Sequence, residues 1–154
     1  MKDRTREPAY ALHALVAVAD RAADQILKDR LGITFSRYLT LLTLQRLGSA
    51  TQRELATELG VSEPSISRAV PLLTGAGFLT VTSVAGGGNR RQVELTAVGE
   101  NLVDEAADIL EDSFAQLMKA AGVGADQILG ITNPMLGVLT GSTDDSVEDG
   151  GDPS

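Results

Sequence analysis

The chain has 154 residues, no cysteine or tryptophan, two tyrosines, three phenylalanines and a net charge of −8. This length fits one compact domain, and the lack of thiols removes disulfides, thiolate metal sites, cysteine nucleophiles and thiol-based oxidant sensing. Few aromatics beside abundant alanine and leucine favour packed helices over a β-sandwich, and the absence of an apolar run of about 18 residues argues against a membrane span and for the cytoplasm.

From Pro8 to Leu31, apolar Leu12, Leu15, Val16, Ala19, Ala23, Ile26 and Leu27 recur at steps of three and four, with Asp20, Arg21, Asp24 and Lys28 between them. The period predicts a long amphipathic helix with a proline in its first turn. Gly32 ends it, and Thr34 caps a second helix in which Phe35, Tyr38, Leu39, Leu41, Leu42, Leu44 and Leu47 are apolar nearly all round. Such a helix is buried on several sides.

Thr51-Gln52-Arg53-Glu54 has the spacing of a capping box and opens a short third helix that buries Leu55, Ala56 and Leu59 and stops at Gly60. Ser62 caps a fourth, with Pro64 in its first turn and Ile66, Ala69, Val70 and Leu73 facing inward. Ser65, Ser67 and Arg68 fall on or near the opposite face. After the glycine cluster at 75–77, Phe78–Ser83 and Arg91–Leu95 alternate as two strands around a glycine-rich tip. A second long helical pattern follows Thr96, carrying Leu102, Val103, Ala106, Ile109, Leu110, Phe114, Leu117 and Met118, with Glu100, Asp104, Glu105, Asp108, Glu111 and Asp112 outside. Residues 125–140 are apolar but interrupted by Gly130, Pro134 and Gly137, which predicts a kinked terminal helix held by packing. Residues 141–154 carry five acids and no base, a composition that predicts disorder.

The net charge resolves by region: +1 over residues 1–33, +2 over 34–97 and −11 over 98–154. The acidity is therefore C-terminal, and the middle of the chain is free to face phosphate. Helix, tight glycine turn, helix, then hairpin is the order of a winged helix-turn-helix. Small Ala56 suits the helix crossing, Gly60 the left-handed turn, and Ile66 the angle between the two helices. The expected fold is mainly α with a small β-hairpin wing. Ser62, Ser65, Ser67 and Arg68 are the candidates to reach bases or phosphates, since hydroxyls serve either and a guanidinium forks onto guanine.

With TQRELATELGVSEPSISRAVPLLTGAGFL and a wing of NRRQVELTAVGE between long helices, residues 8 to 140 resemble the MarR (multiple antibiotic resistance regulator) family. The resemblance implies a homodimer built from residues 8–31 and 98–140, around a DNA-binding lobe at 34–97. It also implies a regulator, expected to be a repressor, bound to a pseudo-palindromic operator in double-stranded DNA. Arg90 and Arg91 would stand where the family's wing meets the minor groove or phosphates. A small-molecule effector would enter a cleft near Tyr10, His13, Phe35, Arg37 and Tyr38. Two departures stand out. Pro71-Leu72 replaces a charged pair late in the recognition helix, where Leu72 offers no phosphate contact and Pro71 should bend the helix, and Asn89 replaces a wing acid.

Other patterns have plainer readings. Gly86-Gly87-Gly88 lacks the lysine and following helix of a phosphate cradle and reads as a wing tip. His13, the only histidine, makes no metal site by itself, and the acids after residue 98 are spaced as a solvated helix face. No nucleophile, base and orienting group converge, so neither an enzyme, a cofactor nor a metal is expected. The alternative to the regulator is a winged-helix protein-interaction module with weak or no DNA binding, suggested by the acidic balance and Leu72.

Overall fold

A computed structural model describes residues 7–83, 86–87 and 91–141. Its elements are α1 (Pro8–Leu31), α2 (Phe35–Leu47), β1 (Ser49–Ala50), α3 (Gln52–Leu59), α4 (Glu63–Gly75), β2 (Leu79–Ser83), β3 (Arg91–Leu95), α5 (Ala97–Ala121) and α6 (Ala125–Thr140). Two compact units result, Met1–Glu111 and Asp112–Ser154, the division falling inside α5.

The first unit holds the buried core. Leu27 of α1, Leu41 and Leu44 of α2, Leu55 of α3, Ile66, Val70 and Leu73 of α4, Leu79 and Val93 of the sheet, and Val103 and Ala106 of α5 are all almost fully removed from water. Local chemistry joins these elements. Gly32 closes α1 at φ 67°, its N–H on the Lys28 carbonyl at 3.1 Å, and Thr34 caps α2 by accepting from the Arg37 N–H at 3.2 Å. The Asp24 carboxylate crosses from α1 to accept the Phe35 N–H at 3.0 Å, satisfying a second orphan donor of α2. Lys28 stands 2.5 Å from the same carboxylate, and these two partners, the Lys28 hydrogen bond foremost, hold its pKa below the usual value of 3.8.

The sheet has three strands in the order β1-β3-β2, all antiparallel, rather than the hairpin alone that the alternation predicts. The added strand is Ser49–Ala50, too short to show a period, and it pairs Ser49 with Glu94 and Ala50 with Val93. The wing is thereby sewn to the end of α2. α4 runs unbroken through Pro71, which is itself exposed between the buried Val70 and Leu73.

In the second unit, α6 begins where the Gln127 side chain accepts the Gly124 N–H at 2.8 Å and ends at Gly141. None of its residues is buried, and Leu129, Ile131, Met135, Leu136, Val138 and Leu139 are all exposed. The acidic stretch at 142–154 lies outside the described residues.

Candidate nucleic-acid interface

α3 and α4 form the helix-turn-helix, and each joint can be traced to a residue. The capping box at Thr51 is complete: its hydroxyl accepts the Glu54 N–H at 3.2 Å, and its own N–H donates to the Glu54 carboxylate at 2.7 Å. Gly60 adopts φ 64°, a left-handed conformation that strains any residue with a Cβ, and Val61 N–H then reaches the Ala56 carbonyl at 3.0 Å. Ala56 and Ile66 are buried at 5 % and 2 % exposure, so the small residue and the plug sit where the helices meet.

Ser62 is the N-cap of α4 by backbone geometry, but its hydroxyl does not bond the helix N–H groups. It shares a hydrogen bond with the Ser65 hydroxyl at 2.8 Å instead. Ser62 and Ser67 are exposed and Ser65 is half-buried. Arg68 is exposed and takes no part in the two salt bridges among the described residues, which are Lys28–Asp24 and Arg46–Glu58. Arg68 thus stands one turn into a helix whose other face is sealed in the core, with its guanidinium uncommitted.

Arg91 opens β3, exposed and opposite Ser83. Arg90 lies outside the described residues. The structure also places Arg91 where the sequence pattern gives no hint of it, beside the start of α3. Gln52, Arg53, Arg91 and Gln92 line an open cleft of about 480 Å³. Arg53, in the first turn of α3, is therefore brought alongside a wing arginine. Only the pairing of β1 with β3 creates that proximity. Glu54 and Glu63 line the same cleft, so its charge is mixed, and the buried Gln92 Oε1 has no hydrogen-bond partner among the described residues.

The residues proposed for an effector are not gathered by this chain. Phe35 and Tyr38 stack with ring centroids 6.0 Å apart, and Tyr38 is buried; that burial, with the Glu111 carboxylate adding to it, raises the phenol pKa. Arg37 is half-buried in the first turn of α2. Tyr10 and His13 are exposed in the first turns of α1. They precede Asp24, which touches Phe35, by roughly 16–21 Å of helix at about 1.5 Å per residue. Of the set, only Phe35 borders the cleft between α1 and α2, of about 460 Å³, whose other walls include Asp20, Arg21 and Asp24. Among the described residues no three His, Asp or Glu side chains are placed to hold a metal ion, and no helix is long and apolar enough to cross a membrane.

Comparison with known proteins bears on this architecture. Solved structures with similar folds include a mutant MarR from E. coli complexed with operator DNA, with a TM-score of 0.74 and 19 % identity, over 90 % of this chain and 99 % of that one. The MepR–DNA complex of S. aureus matches at a TM-score of 0.69 and 20 % identity, over 92 % of this chain and all of the other. NadR in complex with 4-hydroxyphenylacetate matches at 0.70 and 17 %, over 90 % and 96 % of the two chains. At such identities the likeness speaks for the fold. The sequence itself matches the MarR family model over residues 31–91, the stretch from the end of α1 to the start of β3. With helix-turn-helix, three-stranded wing and flanking helices all in that order, the chain has the winged-helix fold of these proteins and is similar in sequence to the MarR family over residues 31–91.

Proposed function

We propose that the chain is a DNA-binding transcriptional regulator that acts as a homodimer on a pseudo-palindromic operator, as a repressor. The observation that carries this reading is the uncommitted Arg68, exposed beside Ser67 on a helix whose opposite face is fixed by Ile66, Val70 and Leu73. Such a helix fits the major groove, where a guanidinium reads guanine and hydroxyls serve bases or phosphates. Ser62 and Ser65 would serve at its first turn, and Arg90 and Arg91 at the wing. The relatives MarR and MepR were solved with DNA, which supports the same assignment here.

Dimerisation would fall to residues 8–31 and 98–140, leaving 34–97 as the DNA-binding lobe. α1 exposes Tyr10, Leu12, Leu15, Val16 and Val18, and the second unit exposes Phe114, Leu117 and the apolar side chains of α6. Apolar surface on this scale favours a partner, and a second copy supplies two matching faces under one symmetry. NadR's complex with 4-hydroxyphenylacetate supports an effector role for a small molecule. Such a molecule would release DNA by preferring a dimer whose lobes are wrongly spaced. Tyr10, His13, Phe35, Arg37 and Tyr38 are its proposed contacts, in two separate groups.

Selection of duplexes from a random library, followed by a salt titration of affinity, tests the proposal. Arg53, Arg68, Arg90 and Arg91 from two subunits would neutralise at most about eight phosphates, so log K should fall against log salt with a slope no steeper than about −7. Arg68→Ala should relax preference at one position per half-site. If no duplex is enriched at low salt, the regulator reading fails and the protein-interaction module takes its place.

A further inference from the structure

The solvent-facing arc of α4 has an unusual make-up for a surface that meets nucleic acid. At about 100° per residue, the buried Ile66, Val70 and Leu73 define one side of the helix, and Pro64, Arg68, Pro71, Leu72 and Gly75 occupy the opposite arc. All five are exposed, and Arg68 alone is charged. Leu72, at 57 % exposure, is the most exposed large apolar side chain of the helix-turn-helix. It follows Arg68 by one helical turn on the same arc.

An aliphatic side chain there has nothing to offer a phosphate, since it can neither donate a hydrogen bond nor replace a counterion. The major groove does present one feature suited to it, the C5-methyl group of thymine. We propose that Leu72, flanked by Pro71, packs against a thymine methyl and so determines one position of the operator half-site. This rests on the DNA-binding reading above and adds a specific base to it. Four residues of helix advance about 6 Å, and stacked base pairs repeat every 3.4 Å or so, which sets the thymine about one to two base pairs from the one met by Arg68. Proline on the same arc favours the contact, because its ring adds apolar surface beside Leu72.

Duplexes enriched by the full chain are resynthesised with each thymine replaced singly by deoxyuridine, which keeps the base pair and removes the methyl. The wild-type protein is expected to lose about fourfold in affinity per half-site at one thymine, the worth of one buried methyl group. Leu72→Ala should bind the thymine and deoxyuridine duplexes alike, while keeping the guanine preference set by Arg68 and an unchanged melting temperature. A flat scan with the wild-type protein, or discrimination that survives in Leu72→Ala, overturns the assignment and leaves DNA binding standing. Self-association without DNA that Leu72→Ala abolishes would give the side chain to a second copy and overturns it as well. Failure to enrich any duplex removes the DNA-binding reading itself, and this inference with it.

Discussion

Gly99→Ala should be among the most damaging single-methyl additions to this protein, although glycine is a poor helix former and position 99 is helical. The third residue of α5 lies against the chain that leaves α4: a Cβ built there would stand 2.2 Å from the Phe78 carbonyl oxygen and 3.1 Å from its carbon, where ordinary contact begins near 3.4 Å. The obstacle is backbone, and it is already engaged, because the Phe78 carbonyl accepts the Thr96 N–H at 3.0 Å. Thr96 in turn caps α5 by accepting the Gly99 N–H at 3.0 Å and donates its hydroxyl to the Gly77 carbonyl at 2.6 Å. Relieving the overlap needs a shift on the order of 1 Å, which strains or opens these bonds. Overpacking costs about 1–3 kcal/mol and a compromised cap about 1, against about 1 regained from alanine's helix preference, for a net loss of about 2 kcal/mol. Gly75→Ala is the matched control. Nothing lies within 4 Å of its added Cβ and its φ is not positive, so it should be neutral or stabilising by up to about 1 kcal/mol. Urea unfolding at one fixed protein concentration measures both, the fixed concentration being needed for a protein proposed to dimerise. A Gly99→Ala midpoint equal to wild type, or the same direction of change in both variants, would refute the reasoning.

Two further outcomes follow from the caps. Thr51→Ala removes the hydroxyl that accepts the Glu54 N–H and should cost about 1 kcal/mol in the same urea assay, with Thr51→Ser recovering most of it; no loss would show that the box does not hold α3 in place. Asp24 has a folded pKa below its ordinary 3.8, so its contribution is present above that value and is lost as pH falls through the lower, folded one. Melting curves across the acid range should therefore show wild type losing an advantage over Asp24→Asn on acidification, and parallel curves for the two proteins would contradict the link from α1 to α2.

The helix-turn-helix was legible because every signal there is local. Thr51 and Glu54 are three residues apart, Gly60 sits at the turn it makes, and the apolar spacing of α4 states which face is buried. β1 was not legible, since two residues carry no period and Ala50 is a strand only because Val93 of β3 lies beside it. The same pairing hides the juxtaposition of Arg53 with Arg91, a consequence of register rather than of spacing. Gly99 is a third case: its sequence context reads as a helix start, and the reason for a glycine there is a carbonyl twenty-one residues back along the chain. The residues expected at an effector fall into two groups within one chain for the opposite reason. The continuous helix α1 holds Tyr10 and His13 far from the α1–α2 junction, so residues that look related in sequence are separated by the rise of α1 itself.

The charge of the molecule and the composition of α4 bear on one another. Of the six arginines at 34–97, Arg46 is drawn to Glu58 at 2.6 Å and Arg37 is half-buried in the first turn of α2, so on the proposed reading at most four per chain would serve DNA, while residues 98–154 contribute −11. Sequence-independent affinity comes almost wholly from phosphate neutralisation, so this lobe should hold random DNA weakly. Base contacts are not diminished by that shortage, because a forked arginine and an apolar side chain on a methyl group act at short range and owe little to the net field. On the proposed reading, a protein so built would give up general affinity and keep discrimination: losing a phosphate contact lowers binding to all sequences alike, whereas a leucine in its place would change binding only where a methyl meets it. On that reasoning Pro71 and Leu72 move the recognition helix from charge towards shape, and the acidic balance of the chain is compatible with selective DNA binding.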